Sequence, residues 1–133
     1  MTVVIRSPTV LLLEHDITIR YPLAEYMREC GYKVFEARAG GDAAKLLDSC
    51  TSGLTAAVMN LRSLEEAAAL AFAKRIRDEH RDAEIFLVET ADAAADRVAG
   101  LCHAVDRSLS RQQHKHQLLD HLMQLHAEAL LKN

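Results

Sequence analysis

The stretch VLLLEHDITIRYPLAEYMRECGYKVFEARAGGDAA, residues 10–44, decides the fold. It opens on an apolar run that ends at Glu14, continues with apolar residues at helical spacing as far as Gly31, and then becomes extended again. Gly31 suits the left-handed position after a helix. Pro22 fits the helix only in its first turn, which places the helix start near Thr18 or later. The stretch predicts two strand–helix units, with elements at residues 9–13, 18–30, 32–37 and 42–50.

The same alternation continues to the end of the chain. Three further strands are expected at residues 54–59, 83–88 and 104–109. Ser63 is expected to cap a helix over residues 63–77, with Glu66 completing a capping box. Two more helices follow, one burying Ala94, Val98, Leu101 and Cys102, and one over about residues 112–130. Five strand–helix units in succession predict a parallel sheet covered on both faces.

Length and composition indicate one globular domain. A chain of 133 residues, 50% hydrophobic and 26% charged, suits a single core, which we expect over about residues 8–126. The net charge of -3 argues against direct binding of nucleic acid. No apolar stretch approaches the roughly 18 residues that span a membrane. Cys30, Cys50 and Cys102 are scattered, which predicts free thiols in the cytoplasm, with Cys50 and Cys102 as small buried residues.

These features together resemble the receiver domain of bacterial two-component response regulators. The resemblance covers about residues 8–125 and implies a flavodoxin-like, three-layer α/β fold. Its five-stranded parallel sheet would have the order 2-1-3-4-5, with five flanking helices. The matching residues are Glu14-His15-Asp16, Ile19-Arg20, Gly31-Tyr32, Gly41-Asp42, Asp96-Arg97-Val98 and Gly100-Leu101.

The resemblance also implies a pocket for phosphoryl transfer, and this chain departs from it. In receivers a carboxylate at the end of the third strand accepts the phosphoryl group, and two acidic residues after the first strand hold Mg²⁺. Asn60 occupies the acceptor position and has no anionic oxygen. The acidic positions hold Glu14, His15 and Asp16, and imidazole is a poor ligand for Mg²⁺. We expect weak or absent Mg²⁺ binding and no other cofactor.

Two further positions of that pocket differ. The hydroxyl position falls on Glu89, or on Thr90 with a one-residue slip, and the lysine position falls on Arg111. An ion pair of Arg111 with Glu14 or Glu89 would take the place of the metal and fix the pocket in one state. The pocket therefore predicts a receiver that is not phosphorylated by the usual aspartate route.

Some of these residues have other interpretations. Asn60 could cap the following loop as an ordinary strand-end amide, and the cluster Glu14-His15-Asp16 could bind a transition metal. Arg62 and Ser63 could contact a partner or form an ordinary loop. The last helix carries four histidines, which we interpret as a solvated face and not as a metal or phosphotransfer site. They are His114, His116, His121 and His126.

The last helix also predicts an interaction surface. Leu118, Leu122, Leu125 and Ala129 form an apolar stripe, which Leu119, Met123 and Leu130 widen. In receivers the face of the fourth helix, fifth strand and fifth helix pairs with another copy or a partner, and an exposed apolar strip would suit that use. The residues expected on this face are Val98, Leu101, Leu118, Leu119, Leu122 and Met123.

The sequence thus predicts a stand-alone pseudo-receiver. It would be a cytoplasmic protein-interaction module of two-component phosphorelay signalling, not an enzyme, with a histidine kinase, another signalling protein or itself as partner. One alternative is an atypical receiver that still responds to a phosphoryl donor or a metal through a substitute acid such as Asp16. A remote alternative is a small flavodoxin-like enzyme or nucleotide binder, against which no glycine-rich loop follows the first strand.

Overall fold

The computed structural model describes residues 8–50 and 53–131, without the side chains of residue 66 and residues 125–131. The strands are β1 (Thr9–Leu13), β2 (Lys33–Ala37), β3 (Ala56–Asn60) and β4 (Glu84–Val88). The helices are α1 (Ile17–Glu29), α2 (Gly40–Ser49), α3 (Glu66–Glu79), α4 (Ala91–Val105) and α5 (Arg111–Leu131), and a 3-10 turn covers Leu61–Ser63. No helix within these ranges is long and apolar enough to cross a membrane.

The four strands form one parallel sheet in the order β2-β1-β3-β4. The predicted α/β fold and the order of its first four strands are confirmed. The fifth strand over residues 104–109 is wrong, because α4 continues as far as Val105. Asp106 then accepts hydrogen bonds from the backbone N–H and the hydroxyl of Ser108, at 3.1 and 2.5 Å. Such a local turn competes with a strand, so β4 is an edge of the sheet.

The two faces of the sheet carry different helices. Val10 and Leu12 of β1 pack with α1 and α4, whereas Leu11 and Leu13 pack with α2 and α3. This alternation follows from the two-residue period of a strand. The helix α5 packs on α1 and α4, where its Leu118 is fully buried. Most apolar side chains of α4 are therefore buried inside the domain, whereas Val105 at its end is exposed.

That arrangement corrects the predicted interaction face. Val98, Leu101 and Leu118 are buried in the core, and Leu119 and Leu122 pack partly against it. Met123 alone among the six expected residues is largely exposed. The helices α4 and α5 pack on each other and on α1, so five of the six expected residues contact the core of the domain itself. Leu125, Ala129 and Leu130 lie outside the described side chains.

One histidine of α5 also belongs to the interior, contrary to the prediction of a solvated face. His114 is buried, and its Nδ1 atom hydrogen bonds to the hydroxyl of Tyr26 on α1. Its ring lies 6.5 Å from that of His103 on α4, centroid to centroid. His116 and His121 are exposed as predicted, and His126 lies outside the described side chains.

Local interactions determine where α1 begins and ends. Asp16 caps the first turn by accepting a 2.9 Å hydrogen bond from the N–H of Thr18. Gly31 has φ +103° and the N–H of Tyr32 donates to the carbonyl of Met27, which closes the helix as predicted. Pro22, however, lies in the second turn and not the first, with its ring buried in the core.

The cysteines differ from the prediction in one respect. Cys30, at the end of α1, forms a disulfide with Cys102 of α4, so the expectation of three free thiols is wrong. Cys50 is free and buried as predicted, and burial raises the pKa of its thiol. The disulfide removes the cysteine argument for a reducing compartment, and the cytoplasmic location stays a prediction.

Candidate functional site at the carboxyl edge of the sheet

The structure brings Glu14 and Asn60 together at the carboxyl edge of the sheet. β1 and β3 are neighbours, with Leu13 in register with Met59, so the next residue of each strand lies at the same edge. Glu14 is 2% exposed and Asn60 is 5% exposed. The Nδ2 group of Asn60 donates a hydrogen bond to Oε2 of Glu14. The predicted acceptor position thus contacts the predicted acidic position directly.

The second carboxylate oxygen of Glu14 and the amide oxygen of Asn60 also accept hydrogen bonds. Oε1 of Glu14 accepts from the N–H of Asp16 at 3.1 Å and lies 3.5 Å from Nδ1 of His15. Oδ1 of Asn60 accepts from the N–H of Arg62 at 2.8 Å, which starts the 3-10 turn. A buried carboxylate costs free energy unless it is hydrogen bonded, and here neutral donors supply those bonds.

His15 faces the rim of the site and contacts Ser63. The backbone N–H of His15 donates to the Ser63 hydroxyl at 3.0 Å, and the ring Nδ1 lies 2.8 Å from the same oxygen. Ser63 is therefore not the cap of α3, which begins at Glu66, and the predicted capping box is wrong. The local pattern assigned the Ser63 hydroxyl to the helix, but it bonds instead to a residue 48 positions away in the chain.

Only the backbone N–H of Asp16 contacts Glu14, and the Asp16 side chain is directed to the start of α1. Its carboxylate accepts from the N–H and the hydroxyl of Thr18, at 2.9 and 2.6 Å. The hydrogen bond from the Thr18 hydroxyl is the main reason that the pKa of Asp16 lies below its usual value. The acidic cluster is thus divided between the site and the helix cap. In the described part of the chain, no group of three histidine, cysteine or acidic residues could hold a metal ion.

The positions after β4 do not complete a phosphate pocket. Thr90 caps α4, its hydroxyl accepting from the N–H of Ala93 at 3.0 Å, and Glu89 is exposed. Arg111 starts α5 and donates to Asp96 of α4 at 3.1 Å. The expected ion pair with Glu14 or Glu89 is therefore wrong. Residues 104–110 form the end of α4 and a turn and not a strand, and Arg111, which follows them, lies alongside α4.

Arg20 supports the site and was predicted only as part of the family pattern. Its Nη1 atom donates to the backbone carbonyl of Glu14 at 2.9 Å, and its Nε atom lies 3.3 Å from Oε1 of Glu36. Arg28 also pairs with Glu36, at 3.0 Å. A cation in the first turn of a helix opposes the helix dipole. That unfavourable placement was the signal in the sequence that Arg20 needs an acidic partner nearby.

Comparison with known proteins identifies the fold. No protein-family model matches the sequence, and no curated protein is similar to it in sequence. A response regulator protein from Burkholderia pseudomallei, solved with a phosphorylated aspartic acid, a calcium ion and citrate, aligns with a TM-score of 0.53. It is 17% identical over 95% of this chain and 75% of its own. A signal receiver domain from Vibrio parahaemolyticus aligns with a TM-score of 0.50, at 16% identity over 96% of this chain and 99% of its own. The chain thus has the fold of response regulator receiver domains, with four strands described in its sheet.

Proposed function

We propose that this chain is a pseudo-receiver, a protein-interaction module of two-component phosphorelay signalling that is not phosphorylated by the usual aspartate route. The hydrogen bond between Asn60 and Glu14 carries this proposal. This bond joins the amide at the acceptor position to the buried carboxylate that would bind the metal ion in a receiver. The receiver fold supports a role in signal transduction, and the state of the site supports a domain that is not switched there.

The chemistry of the site supports the same conclusion. Phosphoryl transfer needs a nucleophilic oxygen, and cations that stabilise the charge on the transferring group. The amide oxygen of Asn60 is a poor nucleophile and already accepts the N–H of Arg62. Arg111, the expected cation, is bound to Asp96. The module would act by presenting a fixed surface to a protein partner or to a second copy of itself.

Incubation with acetyl phosphate and Mg²⁺, followed by intact-mass measurement, tests the proposal. The mass should not change. A gain of one phosphoryl group, mapped by peptide analysis to an acidic residue, would overturn it. If that residue were Asp16, the atypical receiver would be the correct function.

The variant Asn60→Asp separates the acceptor from the rest of the site. It restores a carboxylate at the end of β3. Arg111 stays paired with Asp96 of α4, and His15 stays hydrogen bonded to Ser63. The variant should gain no more phosphoryl group than the wild-type chain in the same assay. Ready phosphorylation of this variant would show that the substitution at position 60 is the only barrier.

A further inference from the structure

We propose that β4 is a pairing edge, at which two copies of this chain join antiparallel into one continuous sheet. The inference rests on the proposed function, since it names the surface through which the module would pair with itself. It starts from a difference between the two edges of the sheet.

The edge formed by β2 carries charged groups that discourage pairing. Arg28 donates a 3.0 Å hydrogen bond to the carbonyl of Val34, and Nζ of Lys33 stands 5.2 Å from the centre of the Phe35 ring. Charged side chains on an edge strand are a common protection against association. The β2 edge is therefore poorly suited to bind another strand.

On the β4 edge the charged groups are Glu84, at the start of the strand, and Arg97 of α4, which stacks on Phe86, and both take part in the pairing proposed below. The central residues of β4, Ile85, Phe86 and Leu87, are uncharged, and Leu87 is 42% exposed. Within residues 8–50 and 53–131, no side chain hydrogen bonds to the β4 backbone, and no strand lies beyond it. The outer peptide groups of such a strand are available to a second chain. Leu87 lies on the face of the sheet that carries α2 and α3, where Ile85 packs against the core, but Leu87 itself remains exposed.

The sequence of β4 favours a second copy as the occupant. In an antiparallel pair centred on Phe86, Ile85 lies opposite the partner's Leu87, so both symmetric positions pair apolar with apolar side chains. The same patch serves both copies, as a closed two-fold dimer requires. A parallel pair would instead place the two Glu84 carboxylates beside each other.

Charge supports the same register. The guanidinium of Arg97 lies 5.1 Å from the centre of the Phe86 ring. Across an antiparallel pair, the partner's Glu84 is the diagonal neighbour of Phe86, at about 7–8 Å, within reach of a long side chain. Arg97 therefore meets the partner's Glu84, and the contact occurs twice by symmetry.

The space beside β4 can receive the partner's side chains. A groove of about 200 Å³ runs between β4 and α4 on the Phe86 side of the strand. Beside Gly100, which lines this groove, the guanidinium of Arg111 lies 3.3 Å from the place that a Cβ atom would take, so a flexible side chain covers this part of the groove wall. The residues that line the groove include Glu84, Phe86, Arg97, Gly100, Leu101 and Arg111.

Light scattering and sedimentation over a range of concentrations test the inference. The wild-type chain should be a dimer, and Leu87→Lys should weaken the dimer about tenfold or more, because each pair contains the substitution twice. The matched control is Leu70→Lys, at a leucine of α3 that is 62% exposed. It should leave the dimer intact. A monomeric wild-type chain, or equal effects of the two substitutions, would overturn the inference.

A charge exchange keeps the test decisive if Leu87→Lys fails to fold. Glu84→Arg and Arg97→Glu should each weaken the dimer, and mixing the two variants should restore it, because both symmetric contacts then join opposite charges. Failure of the mixture to associate would refute the antiparallel register. The phosphorylation assay reads out the proposed function separately, since a dimer that accepts a phosphoryl group would refute the pseudo-receiver and leave the pairing edge standing.

Discussion

Removal of the disulfide between Cys30 and Cys102 should strongly lower the free energy of unfolding. The bond joins residues 72 positions apart in the chain. A cross-link over a loop of that length reduces the entropy of the unfolded chain and stabilises the fold by about 4 kcal/mol at 25 °C. Domains of this size are stable by only about 5–15 kcal/mol in total. The expected loss is therefore a large fraction of the stability.

The bond ties α4 to the end of α1, beside the buried 2.7 Å hydrogen bond from the Tyr32 hydroxyl to the carbonyl of Leu101. Because these contacts of α4 remain in the folded chain when the bond is broken, the loss should come mainly from the greater entropy of the unfolded chain. Urea unfolding followed by circular dichroism should show the loss both in the reduced wild-type chain and in the variant Cys30→Ala. The free energy of unfolding of the Cys30→Ala variant should not change with reductant, because the variant lacks this disulfide and Cys50 is a free thiol. A loss below about 1 kcal/mol on reduction would contradict the reasoning.

Four further outcomes are expected. Arg111→Ala should lower the free energy of unfolding by at most about 1 kcal/mol in urea titrations, because its ion pair is half exposed. Asp16→Ala should cost about 1 kcal/mol. The pKa of Asp16 is lower in the folded chain than in the unfolded chain, so the Asp16 carboxylate stabilises the fold fully above about pH 4. This stabilisation is lost as the pH falls through the lower pKa of the folded chain. Asp16→Asn should remove this pH dependence of the free energy of unfolding. The Cys50 thiol should react slowly with iodoacetamide until urea unfolds the chain. Asn60→Asp should cost about 3 kcal/mol at pH 7, and Glu14→Gln in the same chain should recover most of it.

The buried strands could be predicted from the sequence because their signals are local. Val10 to Leu13 form a continuous apolar run, and such runs are typical of parallel strands covered on both faces. Parallel neighbours end at the same edge, which is why the contact between Glu14 and Asn60 follows from the sequence once the strand order is assumed. The helices were predicted to within a few residues for the same reason.

The fifth strand could not be predicted correctly, because residues 104–109 carry two competing signals. Ala104 and Val105 form the last turn of α4 with both side chains exposed, while Asp106 and Ser108 favour a local turn. The outcome depends on how α4 packs against α1, which no local pattern contains. The pairing of Cys30 with Cys102 has the same origin, since it requires those two helices on one face of the sheet.

The amide at position 60 is physically consistent with a sheet of four strands in the described part of the chain. A carboxylate beside Glu14 would place two like charges in a buried site, which is stable only with a cation between or beside them. A fifth strand is the element that would return the chain, and with it a cationic side chain, to that edge. Here Arg111 stays on α4, so no cation from that segment reaches Glu14. An amide that donates its N–H to Glu14 satisfies the carboxylate without any cation. In the same arrangement β4 is the outer strand of the described sheet, and this is the edge at which we propose that two copies pair.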